Sequence, residues 1–216
     1  MEDSTSKEKI LKKIRKALIH KSEIDFGIVD FDSEIYAKSE EPSDVLFAQN
    51  LTEINGKFAF CENENDFIET FSSLIKENNW DNIFCLEDKI KTLLEKGKIN
   101  YSDKESDFQS VNVGVTGCEY LVARTGSVIV SSKQASGRRL PAYSNYHIVV
   151  AYRDQLVHNV GDALTGIKNK YGSNMPSLIS TITGPSRTAD IEKTLVQGAH
   201  GPKEIYVLLI DSIAKD

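Results

Sequence analysis

Three short stretches of this sequence carry residues that could bind a ligand or catalyse a reaction. They are Gly117-Cys118-Glu119, Gly137-Arg138-Arg139 and Thr183-Gly184-Pro185-Ser186-Arg187. An arginine can hold a carboxylate or a phosphate through two parallel hydrogen bonds. A glutamate can act as a general acid, a general base or a nucleophile. The three stretches therefore predict an anion-binding site, a catalytic carboxylate, or both.

The third stretch is predicted to be a turn between a strand and a helix. Residues 178–182 form an apolar run typical of a buried strand, and a short helical pattern follows Gly184-Pro185 and ends near Gly198. The start of a helix exposes free N–H groups and carries a partial positive charge, and both favour an anion. The alternative is a surface pair between Arg187 and Asp190. The expected anion contacts are Thr183, Gly184, Ser186 and Arg187.

The double arginine and a histidine are expected to lie near this turn. Arg138 and Arg139 belong to the polar loop 132–145, where they could clamp an anion or only form a solvated edge. His200 precedes Gly201-Pro202, and it could complement the negative end of the predicted helix or enter a ligand pocket. Both interpretations stay open from the sequence.

Glu119 is the candidate catalytic carboxylate, and His200 is a second catalytic candidate. Glu119 follows a glycine turn between two predicted strands, where an acid, a base or a nucleophile could be presented to a substrate. An ordinary loop carboxylate is the alternative. The neighbouring Cys118 is interpreted as a structural thiol, because no Lys, Arg or His stands beside it in the sequence to lower its pKa.

The composition argues against several classes of protein. The chain has 216 residues and a formal net charge of −6, which gives no electrostatic footprint for general nucleic-acid binding. No apolar run approaches the ~20 residues of a membrane-spanning helix, and the first residues lack the pattern of a signal peptide. We therefore expect a cytoplasmic protein without a membrane span.

Cofactor and metal motifs are missing as well. The sequence has no dinucleotide-binding glycine motif and no Walker loop. Its four histidines lack metal-ligand spacing. Its three cysteines include no C-x-x-C pair, so the chain does not supply the four thiolates usual for an iron–sulfur cluster. We predict no metal and no cofactor for this chain.

The order of the predicted elements indicates an α/β fold. Strand and helix patterns alternate between residues 58 and 115, which is typical of an open, mainly parallel sheet with helices on both faces. The predicted elements there are strands at 58–61, 83–86 and 111–115 and helices at 66–79 and 89–96. Further elements are helices at 43–54 and 160–171 and strands at 120–123, 127–132, 146–152 and 204–210. The short connection at Gly126 predicts that the strands on either side of it pair antiparallel.

The N-terminal part is predicted to be an extension of this domain. Residues 6–20 place apolar side chains at spacings of three and four, with lysines on the other face, which predicts an amphipathic helix. The lysine face is interpreted as a solvated surface, with an acidic partner as the alternative. The predicted domains are therefore a helix and arm at 1–42 and an α/β domain at 43–216.

The combination of motifs resembles the LutC/YkgG family, the lactate-utilisation protein C branch of the LUD-domain proteins. The resemblance covers the last half of the chain closely and the first half only in element order. Its most specific part is the string TGPSRTADIE, which begins at Thr183. The other matching motifs are Thr116-Gly117-Cys118-Glu119, Ala123-Arg124-Thr125-Gly126-Ser127, Gly137-Arg138-Arg139 and Gly198-Ala199-His200-Gly201-Pro202.

The resemblance implies a fold like that of the NagB, ribose-phosphate isomerase and CoA-transferase superfamily. It also implies a role in the oxidation of L-lactate to pyruvate, together with partner proteins that carry iron–sulfur clusters. It supplies no established catalytic residue, and Glu119 matches the glutamate nucleophile of CoA transferases by fold analogy alone. Three hypotheses remain: a subunit that binds a small anionic metabolite, an independent isomerase or acyl-transfer enzyme using Glu119 and His200, and a docking subunit.

Overall fold

The computed structural model describes residues 5–19, 40–191 and 194–212, and the chain forms two compact units, Met1–Ser39 and Glu40–Asp216. The first unit contains α1 (Ser6–Ile19), which confirms the predicted N-terminal helix. A capping box starts α1, because the Thr5 N–H donates to the Glu8 carboxylate at 2.9 Å and the Glu8 N–H to the Thr5 hydroxyl at 3.4 Å. Most of the predicted arm falls outside the described residues, and the domain boundary at residue 42 stays a prediction.

The second unit contains five helices and eleven strands among its described residues. The helices are α2 (Ser43–Glu53), α3 (Glu64–Asn78), α4 (Asp88–Lys96), α5 (Leu140–Tyr143) and α6 (Val160–Tyr171). The strands are β1 (Lys57–Cys61), β2 (Ile83–Cys85), β3 (Val113–Thr116), β4 (Tyr120–Val122), β5 (Ser127–Ser131), β6 (Tyr146–Tyr152), β7 (Leu156–Val157), β8 (Ile179–Ile182), β9 (Arg187–Ile191), β10 (Thr194–Gln197) and β11 (Glu204–Ile210).

The centre of the unit is a five-stranded parallel sheet in the order β1-β11-β6-β3-β2. The inner strands β6 and β11 are nearly continuous apolar runs, and most of their residues are buried. Such runs are expected for parallel strands that are covered on both faces. The predicted α/β class with a mainly parallel sheet is therefore confirmed.

Both faces of this sheet are covered by apolar side chains. On one face, Phe71 of α3 and Leu94 of α4 pack in the same core as Ile148 of β6. On the other face, Phe47 of α2 and Val149 of β6 belong to a second core that includes the inward side of a second sheet. The second sheet was not anticipated as a separate layer.

The second sheet has the strand order β7-β4-β5-β8. β4 and β5 pair antiparallel, as predicted from their short connection. Gly126 has a φ of 58° there, and a Cβ on it would lie 2.4 Å from the backbone nitrogen of Leu51 in α2. Glycine is needed both for the turn and for the close approach of α2.

The predicted helix after Gly184 is wrong, because Arg187–Ile191 and Thr194–Gln197 form the antiparallel strands β9 and β10. The β-branched residues Thr188, Thr194 and Val196 favour extended backbone, since branching at Cβ is crowded in a helix. The preceding strand, β8, is also less buried than predicted. It lies at the edge of the second sheet, where its residues are half-buried or exposed.

Candidate functional site

Two glutamates follow neighbouring strands of the parallel sheet. Glu87 comes shortly after β2 and Glu119 shortly after β3, and these strands pair in parallel. Their carboxyl ends therefore lie at the same edge of the sheet. In open α/β sheets, ligands bind outside that edge.

Glu119 is almost fully buried and accepts hydrogen bonds on both carboxylate oxygens. Its Oε1 accepts from the Ser131 hydroxyl at 2.6 Å and from the Tyr171 hydroxyl at 2.8 Å, and its Oε2 accepts from Lys170 Nζ at 2.9 Å. Burial acts to raise the pKa of Glu119, but the three donors outweigh it and lower that pKa. This geometry favours an ion-paired structural carboxylate over a nucleophile, because the carboxylate is almost fully buried and both of its oxygens already accept hydrogen bonds.

Glu87 was not singled out from the sequence, yet it has an equally specific set of donors. The Ser136 hydroxyl donates to its Oε1, and the Gly117 N–H and the Gln134 side chain also donate to its carboxylate. Burial raises the pKa of Glu87, these hydrogen bonds oppose the rise, and the nearby Glu119 adds to it. A Cβ on Gly117 would lie 2.7 Å from Glu87 Oε2, so glycine allows this approach.

One loop is bound to both glutamates, and we call residues 131–139 the arginine loop because it ends at Arg138 and Arg139. Inside the loop, the Ser131 N–H donates to Gln134 Oε1 at 3.0 Å. A Cβ on Gly137 would lie 1.7 Å from the carbonyl oxygen of Ser131, so only glycine fits that position. The buried Glu119 and the half-buried Glu87 therefore fix the part of the chain that carries the double arginine.

A cavity of about 290 Å³ lies between the arginine loop and the carboxyl end of β2. Such a volume is at the lower end of the range of about 300–1,000 Å³ known for small-molecule sites. The polar lining consists of Glu105, Ser132, Gln134, Ser136, Arg138 and Arg139. The apolar lining consists of Leu86, Phe108, Ala135 and Leu140.

The two arginines of the cavity have different environments. Arg139 pairs with Glu105 at 2.6 Å, and its guanidinium carbon lies 4.0 Å from the centre of the Phe108 ring. Arg138 donates to the Ser177 hydroxyl, and no carboxylate among the described residues pairs with it. Arg138 therefore supplies the uncompensated positive charge of the cavity.

The stretch around Gly184 lies at the other edge of the parallel sheet. Arg187 donates to the carbonyl oxygen of Ile54, just before β1, and the Ser186 N–H donates to that of Pro202 at 2.8 Å, just before β11. Gly184 has a φ of 81°, and a Cβ on it would lie 2.8 Å from the Ile54 oxygen. The hydroxyl of Thr183 lies 2.9 Å from that of Ser127. No helix starts within these described residues, so the helix dipole on which their predicted anion affinity depended is not there.

The structure separates candidates that were expected to lie together. His200 is exposed and belongs to the segment before β11 that contacts Ser186, so it lies at the amino edge of the sheet. Arg138 and Arg139 border the cavity beside the carboxyl end of β2. The segment of His200 does lie beside the Gly184 turn. The expectation that Arg138 and Arg139 lie there is wrong, because they follow β5, the turn follows β8, and these two strands run antiparallel.

Comparison with known proteins decides the family. The LUD domain matches residues 46–210. This chain belongs to the LUD-domain family. It is 36% identical over 106 residues to the lactate utilization protein C of Bacillus licheniformis, covering 48% of this chain and 44% of that protein. It is 27% identical over 163 residues to lactate utilization protein C 1 of Bacillus mycoides, covering 68% of this chain and 70% of that protein.

The resemblance to the LutC/YkgG family is thereby confirmed. With the lactate utilization protein C of Bacillus subtilis the identity is 35% over 120 residues, covering 54% of this chain and 48% of that protein. In most of these alignments the LUD-domain chain spans about half the length of the relative. A crystal structure of a DUF162 family protein from Deinococcus radiodurans has the same fold, with a TM-score of 0.55 and 15% identity over 78% of this chain and 96% of that one.

The described residues contain neither a metal-binding cluster nor a membrane-spanning helix. Within residues 5–19, 40–191 and 194–212, no group of three or more His, Cys, Asp or Glu is placed to hold a metal ion. Over the same ranges, every helix is too short or too polar to cross a membrane. The prediction that the chain binds no metal or cofactor stays a prediction.

Proposed function

We propose that this LUD-domain chain takes part in the oxidation of L-lactate to pyruvate, as a subunit that works in the cytoplasm with iron–sulfur partner proteins. The names of its curated relatives, lactate utilization protein C, support this role. The chemistry of its thiols supports the division of labour. Burial raises the pKa of Cys61 to about 11 and that of Cys85 to about 12, whereas clusters are held by thiolates.

The ligand of this subunit is a small carboxylate anion, and its site is the cavity beside the arginine loop. The observation that carries this assignment is the uncompensated charge of Arg138 in a small cavity at the ligand-binding edge of the sheet. Arg139 is held in place by Glu105 and Phe108 and can offer its remaining N–H groups. The hydroxyls of Ser132 and Ser136 suit a ligand that also carries a hydroxyl or keto group.

Calorimetry with L-lactate and with pyruvate tests this site. Arg138→Ala should weaken binding by about 1.5 kcal/mol or more, roughly tenfold in Kd. Arg138→Lys keeps the charge but loses the two parallel hydrogen bonds, so it should recover only part of the affinity. Equal affinity of Arg138→Ala and the wild type would refute the assignment.

The contacts that the sequence predicts at Thr183, Gly184, Ser186 and Arg187 are a second proposed anion position. Arg187→Ala serves both as the test of that position and as the control for Arg138→Ala. If Arg187→Ala alone loses binding, the anion lies at the amino edge of the sheet. The observation that weighs against this outcome is that Arg187 already donates to the Ile54 carbonyl.

Two alternatives have direct tests. An isomerase or acyl-transfer enzyme would use Glu119 and His200, and a covalent adduct formed with CoA thioesters would support it. The engagement of both Glu119 oxygens weighs against that mechanism.

A docking subunit would use α1, and deleting residues 1–20 should then abolish co-purification with the iron–sulfur proteins. Retained assembly after the deletion would remove α1 from that role.

A further inference from the structure

The arginine loop depends on a carboxylate that belongs to a different element. Glu87 follows β2, whereas the loop begins at Ser131, the last residue of β5. Two side chains of the loop, Ser136 and Gln134, donate hydrogen bonds to the Glu87 carboxylate, and the Gly117 N–H donates to it from the end of β3. Glu87 thus connects the loop to the carboxyl ends of two strands of the parallel sheet.

Ser136 and Gln134 also line the cavity. Ser136 is 3% exposed, although it lies in a polar loop. A serine is buried at low cost only when its hydroxyl has a partner, and here that partner is Glu87. Without Glu87 the loop would have to expose Ser136 to water or leave its hydroxyl unpaired. Either change would move the two arginines that follow directly in the chain.

We propose that Glu87 is a positioning residue of the anion site: it anchors Ser136 and Gln134 and thereby orients the arginine loop that presents Arg138 and Arg139 to the ligand. The identity of the anion rests on the proposed function. The anchoring of the loop does not, and it can be measured without any ligand.

The charges around Glu87 make this anchor sensitive to protonation. From the end of β3, Glu119 and the thiol of Cys118 face it, and from β2 the thiol of Cys85 lies nearby. No ion pair within 4 Å compensates Glu87 among the described residues. All three of its partners donate, so a proton on the carboxylate would remove an acceptor that they need. The arginine loop should therefore loosen as Glu87 becomes protonated.

Hydrogen exchange on the full chain tests the anchor. Glu87→Ala should speed exchange in peptides covering residues 131–139 about tenfold, and the milder Ser136→Ala should do so to a smaller extent. The matched control is Glu77→Gln, an exposed glutamate of α3, which should leave this segment unchanged. After correction for intrinsic rates, the wild-type segment should lose protection as the pH falls through the pKa of Glu87, which burial raises above its ordinary value of 4.5. Glu87→Gln cannot titrate and should lose that pH dependence.

Affinity for L-lactate provides the second readout, and Glu87→Ala should weaken it about tenfold. If Glu87→Ala exchanges faster throughout the chain, Ser136→Ala decides, because only an effect confined to residues 131–139 supports the anchor. Unchanged exchange of that segment in both variants would overturn the proposal. A further outcome is that the wild type binds neither lactate nor pyruvate while the variants still exchange faster at residues 131–139. That result would refute the proposed ligand and support the role of Glu87 as the anchor of the loop.

Discussion

Replacing Glu119 by glutamine should destabilise the domain while it keeps the size of the side chain. Glu119 is 3% exposed and accepts from Ser131, Lys170 and Tyr171. Glutamine has a single acceptor oxygen, so one or more of these donors must lose its partner. A hydrogen bond to a charged group contributes about 1.5–3 kcal/mol, and leaving a buried donor unpaired costs a similar amount.

Lys170 contributes less to the free energy of unfolding than the hydroxyls of Ser131 and Tyr171 do. Its side chain is 56% exposed, so water screens its pairing with Glu119. A pair of this kind is worth about 1 kcal/mol or less. Together these contributions give an expected loss of about 2–3 kcal/mol in the free energy of unfolding of Glu119→Gln at pH 7.

The loss of stability in Glu119→Gln should depend on pH, and it should be smaller in acid. The hydrogen bonds from Ser131, Lys170 and Tyr171 overcome burial and lower the pKa of Glu119 from its ordinary value of 4.5. A carboxyl whose pKa is lower in the folded state stabilises the fold above its ordinary pKa. That stabilisation disappears as the pH falls through the lowered value. The difference in the free energy of unfolding between the wild type and Glu119→Gln should therefore be largest at pH 7 and should shrink in acid.

Urea unfolding between pH 3 and pH 8 measures this difference. Glu77→Gln removes an exposed glutamate and should match the wild type within about 0.5 kcal/mol. Tyr171→Phe removes one donor to Glu119 and should cost about 1 kcal/mol. If Glu119→Gln is as stable as the wild type at pH 7, or if its deficit is the same at every pH, the ionised carboxylate does not stabilise the fold.

A pair of glycines and the three cysteines test the packing. Gly126→Ala should cost about 2–4 kcal/mol in urea unfolding, because φ is 58° and its Cβ would lie 2.4 Å from the backbone of α2. Gly161→Ala in α6, where a Cβ meets nothing within 4 Å, should be stabilising by about 0.5–1 kcal/mol, and the opposite order of stabilities would contradict this reasoning. Because Cys61, Cys85 and Cys118 are buried and their pKa values are raised, a thiol reagent at pH 8 should leave the native protein unmodified and label all three cysteines in urea. Rapid labelling of the native chain would show that a thiol is accessible.

Local patterns were sufficient for the elements of the parallel sheet. The apolar runs at β6 and β11 are long enough to be recognised as buried strands, and both were predicted with the bounds that the structure shows. The failure at residues 187–197 has a local cause. Several β-branched residues there favour strands, but short strands with mixed polarity resemble a short helix when their pairing partner is unknown.

The functional candidates depended more on tertiary structure. The residue types made Arg138 and Arg139 candidates for an anion clamp, with a solvated edge as the alternative, and the fold places both beside one cavity. The sequence contained no signal for Glu87 beyond its position after a buried strand. Its donors come from residues at positions 117, 134 and 136, so only folding brings them to one carboxylate.

The sequence by itself determined the family, the α/β class and the presence of arginine- and glycine-bearing loops, because these follow from residue types and from periodicity along the chain. The edge of the sheet to which each loop belongs was decided by the tertiary structure. The arginine loop and the Gly184 turn follow β5 and β8, which pair antiparallel in the second sheet, so the two segments leave that sheet at opposite ends. The parallel pairing of β2 with β3 brings Glu87 and Glu119 to one edge, and the antiparallel pairing of β8 with β5 places the Gly184 turn away from them.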